Sequence, residues 1–184
     1  MMPLFVSFYT PTYEKEAAGL RDSLDAFGLD HSLVAVPSRG NWIKNCAFKP
    51  AFLLRMMGAR PGRALVWIDA DGRIKKYPVI FESLDCDFAA HWRNGEELLS
   101  GTMYFAPTIA ARMLLEKWQV RMQLHPDVWD QKALAEIVDV KPDWLRVARL
   151  PPEYTAIFDA GMVQPGTETI LHMQASRRLR AVAV

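Results

Sequence analysis

Ala64-Leu65-Val66-Trp67-Ile68-Asp69-Ala70-Asp71 is the stretch on which the fold turns. A short apolar run, set off by the breaker Pro61-Gly62, ends in two carboxylates one residue apart. The run is too short for a helix and reads as a buried strand. Side chains alternate along a strand, so a strand continuing through Asp71 puts Asp69 and Asp71 on one face at its carboxyl end. In open α/β sheets that end is where ligands bind. Two hard oxygen donors there suit Mg²⁺ or Mn²⁺, and such an ion suits a diphosphate. The plain alternative is a turn in which each carboxylate caps backbone N–H groups.

The flanking sequence supplies the rest of a sheet. Leu4 to Tyr9 reads as a first strand, followed by a turn at Thr10-Pro11-Thr12. Tyr13 to Phe27 carries Ala17, Leu20, Leu24 and Phe27 at helical spacing, with Thr12 as N-cap and Gly28 as the stop. Leu33 to Val36 is a second strand, and Asn45 to Met57 a second helix ended by Gly58. This β-α-β-α-β order predicts a three-layer domain with a mostly parallel sheet. Beyond it the pattern predicts a short helix over Pro78 to Leu84 and strands over Asp87 to Trp92 and Thr102 to Phe105. Helices follow from Thr108 to about Leu124 and from Asp130 to Val138, then a strand over Trp144 to Val147. One domain over residues 1–184 is expected, its loop-rich part from about 151 to 184 packing back on the body.

Composition narrows the function. The 184 residues carry 22 basic and 21 acidic side chains, a net charge of +1, which argues against a nucleic-acid binder held by a strong field. Cys46 and Cys86 stand in no metal-ligand spacing and read as reduced, buried thiols of a cytoplasmic protein, though a disulfide between them stays open. No apolar stretch approaches the length of a membrane span or the pattern of a signal peptide.

Several further pieces fall in a suggestive order. These are Phe8-Tyr9-Thr10, Lys44, Lys49-Pro50, Trp67-Ile68-Asp69-Ala70-Asp71 and Tyr77-Pro78. They continue with Ser100-Gly101-Thr102-Met103-Tyr104-Phe105, Trp129-Asp130-Gln131 and Ile170-Leu171-His172. Their order and spacing, over about residues 4 to 178, resemble the GT-A-fold glycosyltransferases, close to the nucleotide-diphospho-sugar transferase family. The resemblance implies a GT-A fold, three-layer α/β/α with a mostly parallel mixed sheet. It also implies transfer of a sugar from a nucleotide-diphospho-sugar, a UDP-sugar favoured, to a glycan, lipid or protein acceptor.

The resemblance also assigns roles. Asp69, Asp71 and His172 become metal ligands, for Mn²⁺ in preference to Mg²⁺ because imidazole suits the former. Asp69 doubles as a contact to the ribose or to metal-bound water. Phe8, Tyr9, Thr10 and one of Lys44 or Lys49 hold the nucleotide. Ser100 and Gly101 line the sugar pocket, and Asp130 and Gln131 hold sugar or acceptor, with Asp130 a base if the anomeric centre inverts. Read without the family, Tyr9 is a half-buried strand end, the lysines are solvated surface, Ser100-Gly101 is a bulge, His172 is a core residue and Asp130 is a helix-start carboxylate.

Two alternatives accompany this reading. Asp69-Ala70-Asp71-Gly72 matches the Asp-x-Asp-Gly of haloacid-dehalogenase phosphatases, with Asp69 as nucleophile, although Arg73 and the position of the motif depart from that pattern. A nucleotide-sugar-fold binding module without catalysis is the other. Within the resemblance, Gly72 stands where a larger apolar residue is more familiar, and Arg177, Arg178 and Arg180 form a basic cluster that is solvated or meets the diphosphate.

Overall fold

The computed structural model describes residues 2–181, with side chains as far as residue 179. Its centre is a six-stranded sheet of β1 (Leu4–Tyr9), β2 (His31–Ala35), β3 (Leu65–Ile68), β5 (Phe88–Arg93), β6 (Glu97–Phe105) and β7 (Val147–Arg149), in the order β2-β1-β3-β6-β5-β7. β1 runs parallel to β2 and β3, and β7 parallel to β5, while β6 is antiparallel to both its neighbours. Alternation along the strands explains why both faces are covered. Leu4, Val6, Leu65 and Trp67 enter one core cluster, and Phe5, Val66 and Ile68 enter the other. Helices α3 (Lys49–Ala59), α4 (Ile109–Leu124) and α5 (Asp130–Val138) cover the first face. Helix α1 (Glu14–Ala26) covers the second, through Leu20 and Leu24. The sheet is thus the mostly parallel mixed one expected.

A second, three-stranded sheet has no counterpart in the sequence reading. It joins β4 (Gly72–Ile74), β9 (Ile170–His172) and β8 (Ala156–Ile157) in the order β4-β9-β8. Gly72 pairs with His172 in its register. The chain turns back immediately after β3, since the N–H of Gly72 donates to the carbonyl of Asp69 at 2.8 Å. The expected strand through Asp71 therefore stops at Ile68. Asp69 is held past the strand end by the carbonyl of Gly101, 2.8 Å away.

Other boundaries shift for local reasons. The expected helix over residues 45–57 is two, α2 (Trp42–Cys46) and α3, broken at Ala47-Phe48. The side chain of Asn41 caps α2 by accepting from the N–H of Lys44 at 2.9 Å, and Pro50 opens α3, where its missing N–H costs nothing. Gly58 lies inside α3 and does not end it. Thr12 sits in a 3-10 turn, so Tyr13 is the N-cap of α1; Gly28, at φ 62°, takes the left-handed position past its end. Residues 79–82 form a 3-10 turn where a short helix was expected. β6 begins five residues before the expected Thr102, which puts Ser100 and Gly101 within the strand. The late strand falls on Val147–Arg149 and overlaps the expected span only at Val147. Residues 175–181 form helix α6, which the loop-rich composition concealed. Among the described residues Cys46 and Cys86 form no disulfide; Cys86 is buried as expected, whereas Cys46 is only partly buried.

Candidate active site

A cleft of about 660 Å³ opens where β1 and β3 end and β6 begins. Tyr9 and Thr10 line it from the end of β1, and Asp69 and Asp71 from the turn after β3. Ser100, Gly101 and Gln131 line it beyond, on β6 and α5. Phe8 reaches its floor, packed edge-on against Phe48 and Phe52. Sequence positions far apart thus meet at one margin of the sheet.

Asp71 and His172 form one end of this floor. The Oδ2 of Asp71 accepts the backbone N–H of Ala175 at 2.8 Å, and its Oδ1 lies 3.7 Å from Nδ1 of His172. Burial opposes the charge of Asp71, but His172 and the Ala175 N–H outweigh it and hold the carboxyl below the usual range. The other ring nitrogen of His172, Nε2, is 2.8 Å from Oγ1 of Thr102. Gly101 makes room for this ring, and Gly72 makes room for Ile68 beside it. A Cβ on Gly101 would stand 3.1–3.3 Å from three of its atoms, and one on Gly72 would stand 2.4 Å from Cγ2 of Ile68 and 3.5 Å from the imidazole. The close turn explains why glycine stands at position 72, which the sequence left unaccounted for.

Lys49 governs the other end. Its ammonium is buried and stands 3.0 Å from Oδ1 of Asp69, 3.0 Å from Oδ2 of Asp130 and 3.3 Å from Oγ of Ser100. The indole N–H of Trp67 donates to the same Oδ1 of Asp69 at 2.9 Å. Burial works against the charge on Lys49, yet Asp130 and then Asp69 overcome it and raise its pKa. Burial pushes the Asp130 carboxyl up, with Lys49 opposing and Asp69 adding to the rise. Among the described residues neither oxygen of Asp130 meets a well-aligned hydrogen-bond donor, and the ammonium of Lys49 supplies its compensation. Gln131 accepts from the N–H of Ser100 at 3.1 Å and donates to Oε1 of Glu97 at 3.2 Å.

These placements revise the residue assignments. Asp69, Asp71 and His172 line one cleft, but among the described residues no three His, Cys, Asp or Glu groups converge as a metal-ligand set. Asp71 and His172 are adjacent, whereas Asp69 is drawn to Lys49. Lys44 is exposed and lies outside the cleft lining. Asp130 is fully buried behind Lys49 and not at the cleft surface, while Gln131 is. Arg177 lines the cleft and pairs with Asp159, Arg178 pairs with Glu16, and the side chain of Arg180 lies outside the described residues. Of the residues around the site, Trp42 and Glu97 had no role in the sequence reading, and Thr102 figured only as the end of the Ser100-Gly101-Thr102 stretch and the start of a strand. Thr102 carries no local signal, since its partner His172 is 70 positions away.

Residues 65–176 match the family model described as nucleotide-diphospho-sugar transferase, more than half of the chain. The chain belongs to this family. No curated protein matches the sequence. Solved structures do match in fold. A glycosyltransferase involved in the glycosylation of the major capsid of PBCV-1 is 12% identical with a TM-score of 0.76, covering 100% of this chain and 99% of that one. The galactosyltransferase LgtC, in complex with donor and acceptor sugar analogs, is 10% identical with a TM-score of 0.62, covering 98% and 95%. GlyE of Streptococcus pneumoniae TIGR4 is 14% identical with a TM-score of 0.64, covering 94% of this chain and 55% of that one. The family and these neighbours are glycosyltransferases, and the fold is GT-A.

Within this transferase family the phosphatase alternative loses its footing. The supposed nucleophile Asp69 has one oxygen shared between the ammonium of Lys49 and the indole of Trp67. Among the described residues, no helix is long and apolar enough to cross a membrane.

Proposed function

We propose that this transferase seats a nucleotide-diphospho-sugar across the cleft and passes its sugar to a hydroxyl-bearing acceptor. The observation that carries this is the order of the cleft lining: an aromatic residue at the end of β1, carboxylates and an imidazole after β3 and at β9, then a buried Lys–Asp pair from α3 and α5 and an amide of α5 beside β6. The base lies by Tyr9 and Thr10, with a uridine donor favoured. The diphosphate lies by the turn of residues 69–71, and the sugar by Ser100, Gly101 and Gln131. Gln131 touches the sugar, while Asp130 positions Lys49.

The donor set suits Mn²⁺ or Mg²⁺ in part. Asp71 and His172 would hold the ion, with Asp69 joining once its carboxylate turns from Lys49. When bound, the ion supplies positive charge that stabilises the departing diphosphate. In the transfer, the acceptor oxygen bonds to the anomeric carbon. The bond from that carbon to the phosphate oxygen breaks, its electron pair leaves on the nucleoside diphosphate, and the acceptor proton is released.

A thermal-shift panel of nucleoside diphosphates, with and without Mn²⁺, tests this reading. A ligand at a hundredfold excess over its dissociation constant stabilises by about 2.7 kcal/mol, enough to see. The expected result is stabilisation by one base in preference to the others, larger with Mn²⁺, whose metal-dependent part disappears in Asp71→Ala. No stabilisation by any nucleoside diphosphate would overturn the reading. Binding without turnover would leave a binding module.

A further inference from the structure

The cleft has a feature that the donor does not use. Trp42, from α2, and Trp129, from the residue before α5, bring their indoles to a centroid distance of 6.0 Å at 43° to each other. Both line the cleft. Trp129 keeps 40% of its surface exposed, although an indole is among the costliest side chains to leave in water.

Their place in the fold separates them from the nucleotide. Tyr9 ends β1, and β3 and then β6 follow in the sheet. Ser100 on β6 is therefore two strand spacings, about 10 Å, from the base end. Trp129 precedes Asp130 and Gln131, and the N–H of Ser100 donates to Gln131, which ties the indole pair to the β6 side of the cleft. The pair is thus anchored beside the sugar end of the donor reading.

The chemistry of the rim is mixed. Beside the indoles the cleft is lined by Arg93, Glu97 and Gln131, polar groups joined by hydrogen bonds along one wall. An apolar ring face next to a fan of donors and acceptors suits a molecule with the same two characters. A pyranose is such a molecule: one face carries C–H groups that lie flat on an indole, and its edge carries hydroxyls. An acyl chain would have no use for the polar wall, and an extended peptide would need an exposed sheet edge or a run of apolar pockets.

We infer that Trp42 and Trp129 form a stacking platform for the acceptor, and that this acceptor is a saccharide. The inference rests on the donor reading above. It makes Trp129 a contact of the acceptor and not of the nucleotide.

The test uses the full chain on an array of immobilised glycans, with a peptide array and phosphatidylcholine–phosphatidylglycerol vesicles alongside. Wild type is compared with Trp129→Ala, Trp129→Phe and Trp42→Ala, each checked for folding by its melting transition. The wild-type thermal shift with UDP and GDP plus Mn²⁺ is measured in parallel. We expect wild type to bind a subset of glycans, with about tenfold weaker binding in Trp129→Ala and a smaller loss in Trp129→Phe. Nucleotide stabilisation of wild type without glycan binding would overturn the inference and leave the donor reading standing. So would glycan binding unchanged in all three variants, or binding of peptides or vesicles in place of glycans. Glycan binding that depends on Trp129, without any nucleotide shift, would instead overturn the donor reading and, with it, the role of acceptor.

Discussion

Asp69 and Asp71 are two residues apart and meet opposite fates. Asp71 is held by a backbone N–H and a histidine, which keep its carboxyl low. Asp69 shares a lysine with a second carboxylate that is wholly buried. The first end of the cleft satisfies charge locally, with neutral or titratable partners. The second stores three charges in a small volume and depends on one ammonium. The contrast teaches that a motif of two like residues does not imply like environments, because a turn between them sends each to a different wall.

The comparison can be broken most severely at Lys49. Removing one partner of a buried ion pair leaves the other uncompensated, a loss of about 3–5 kcal/mol. Lys49→Met is therefore expected to destabilise by that amount in urea unfolding, with most of it recovered when Asp130→Leu is added. An unchanged midpoint in the single variant would show that Asp130 does not need the lysine.

At the other end the vulnerable atom is a missing one. Gly72→Ala would press a Cβ to 2.4 Å from Ile68, and overpacking of this kind costs about 1–3 kcal/mol. Gly58→Ala is the control, because a Cβ there meets nothing within 4 Å inside α3, and alanine should gain about 0.5–1 kcal/mol. Opposite signs for the two in the same denaturation series would support the turn geometry, and like signs would refute it.

The smallest effect is expected from pH. A carboxyl held below its unfolded value, about 3.9, contributes stability that is present above that value and lost as pH falls through the folded one. Asp71→Asn should flatten the loss of stability below about pH 4, with little change in the slope at neutral pH. A variant that keeps the full wild-type acid slope would show that Asp71 is not favoured in its charged form.

Much of the large sheet was legible because its signals are local. The apolar run Leu4–Tyr9 and the stripe of Leu20 and Leu24 each act within a few residues. The Asp pair and His172 were also visible, as residue types at element ends. The turn at Asp69–Gly72, the Gly72–His172 pairing and the Lys49–Asp130 bridge were not, since each depends on residues brought together across the chain. A strand of two residues, such as β8, is too brief to carry a period of its own. The break at Ala47-Phe48 was hidden for a different reason: apolar spacing continues across it, and only Pro50 marks the restart.

The pairing of β4 with β9 has a consequence for biosynthesis. Asp71 emerges from the ribosome 104 positions ahead of Ala175, whose N–H it needs. A nascent chain that has made the first β-α-β-α-β stretch carries the acidic turn without its imidazole neighbour. The turn therefore reaches its folded surroundings only after β9 and the start of α6 have been made and docked.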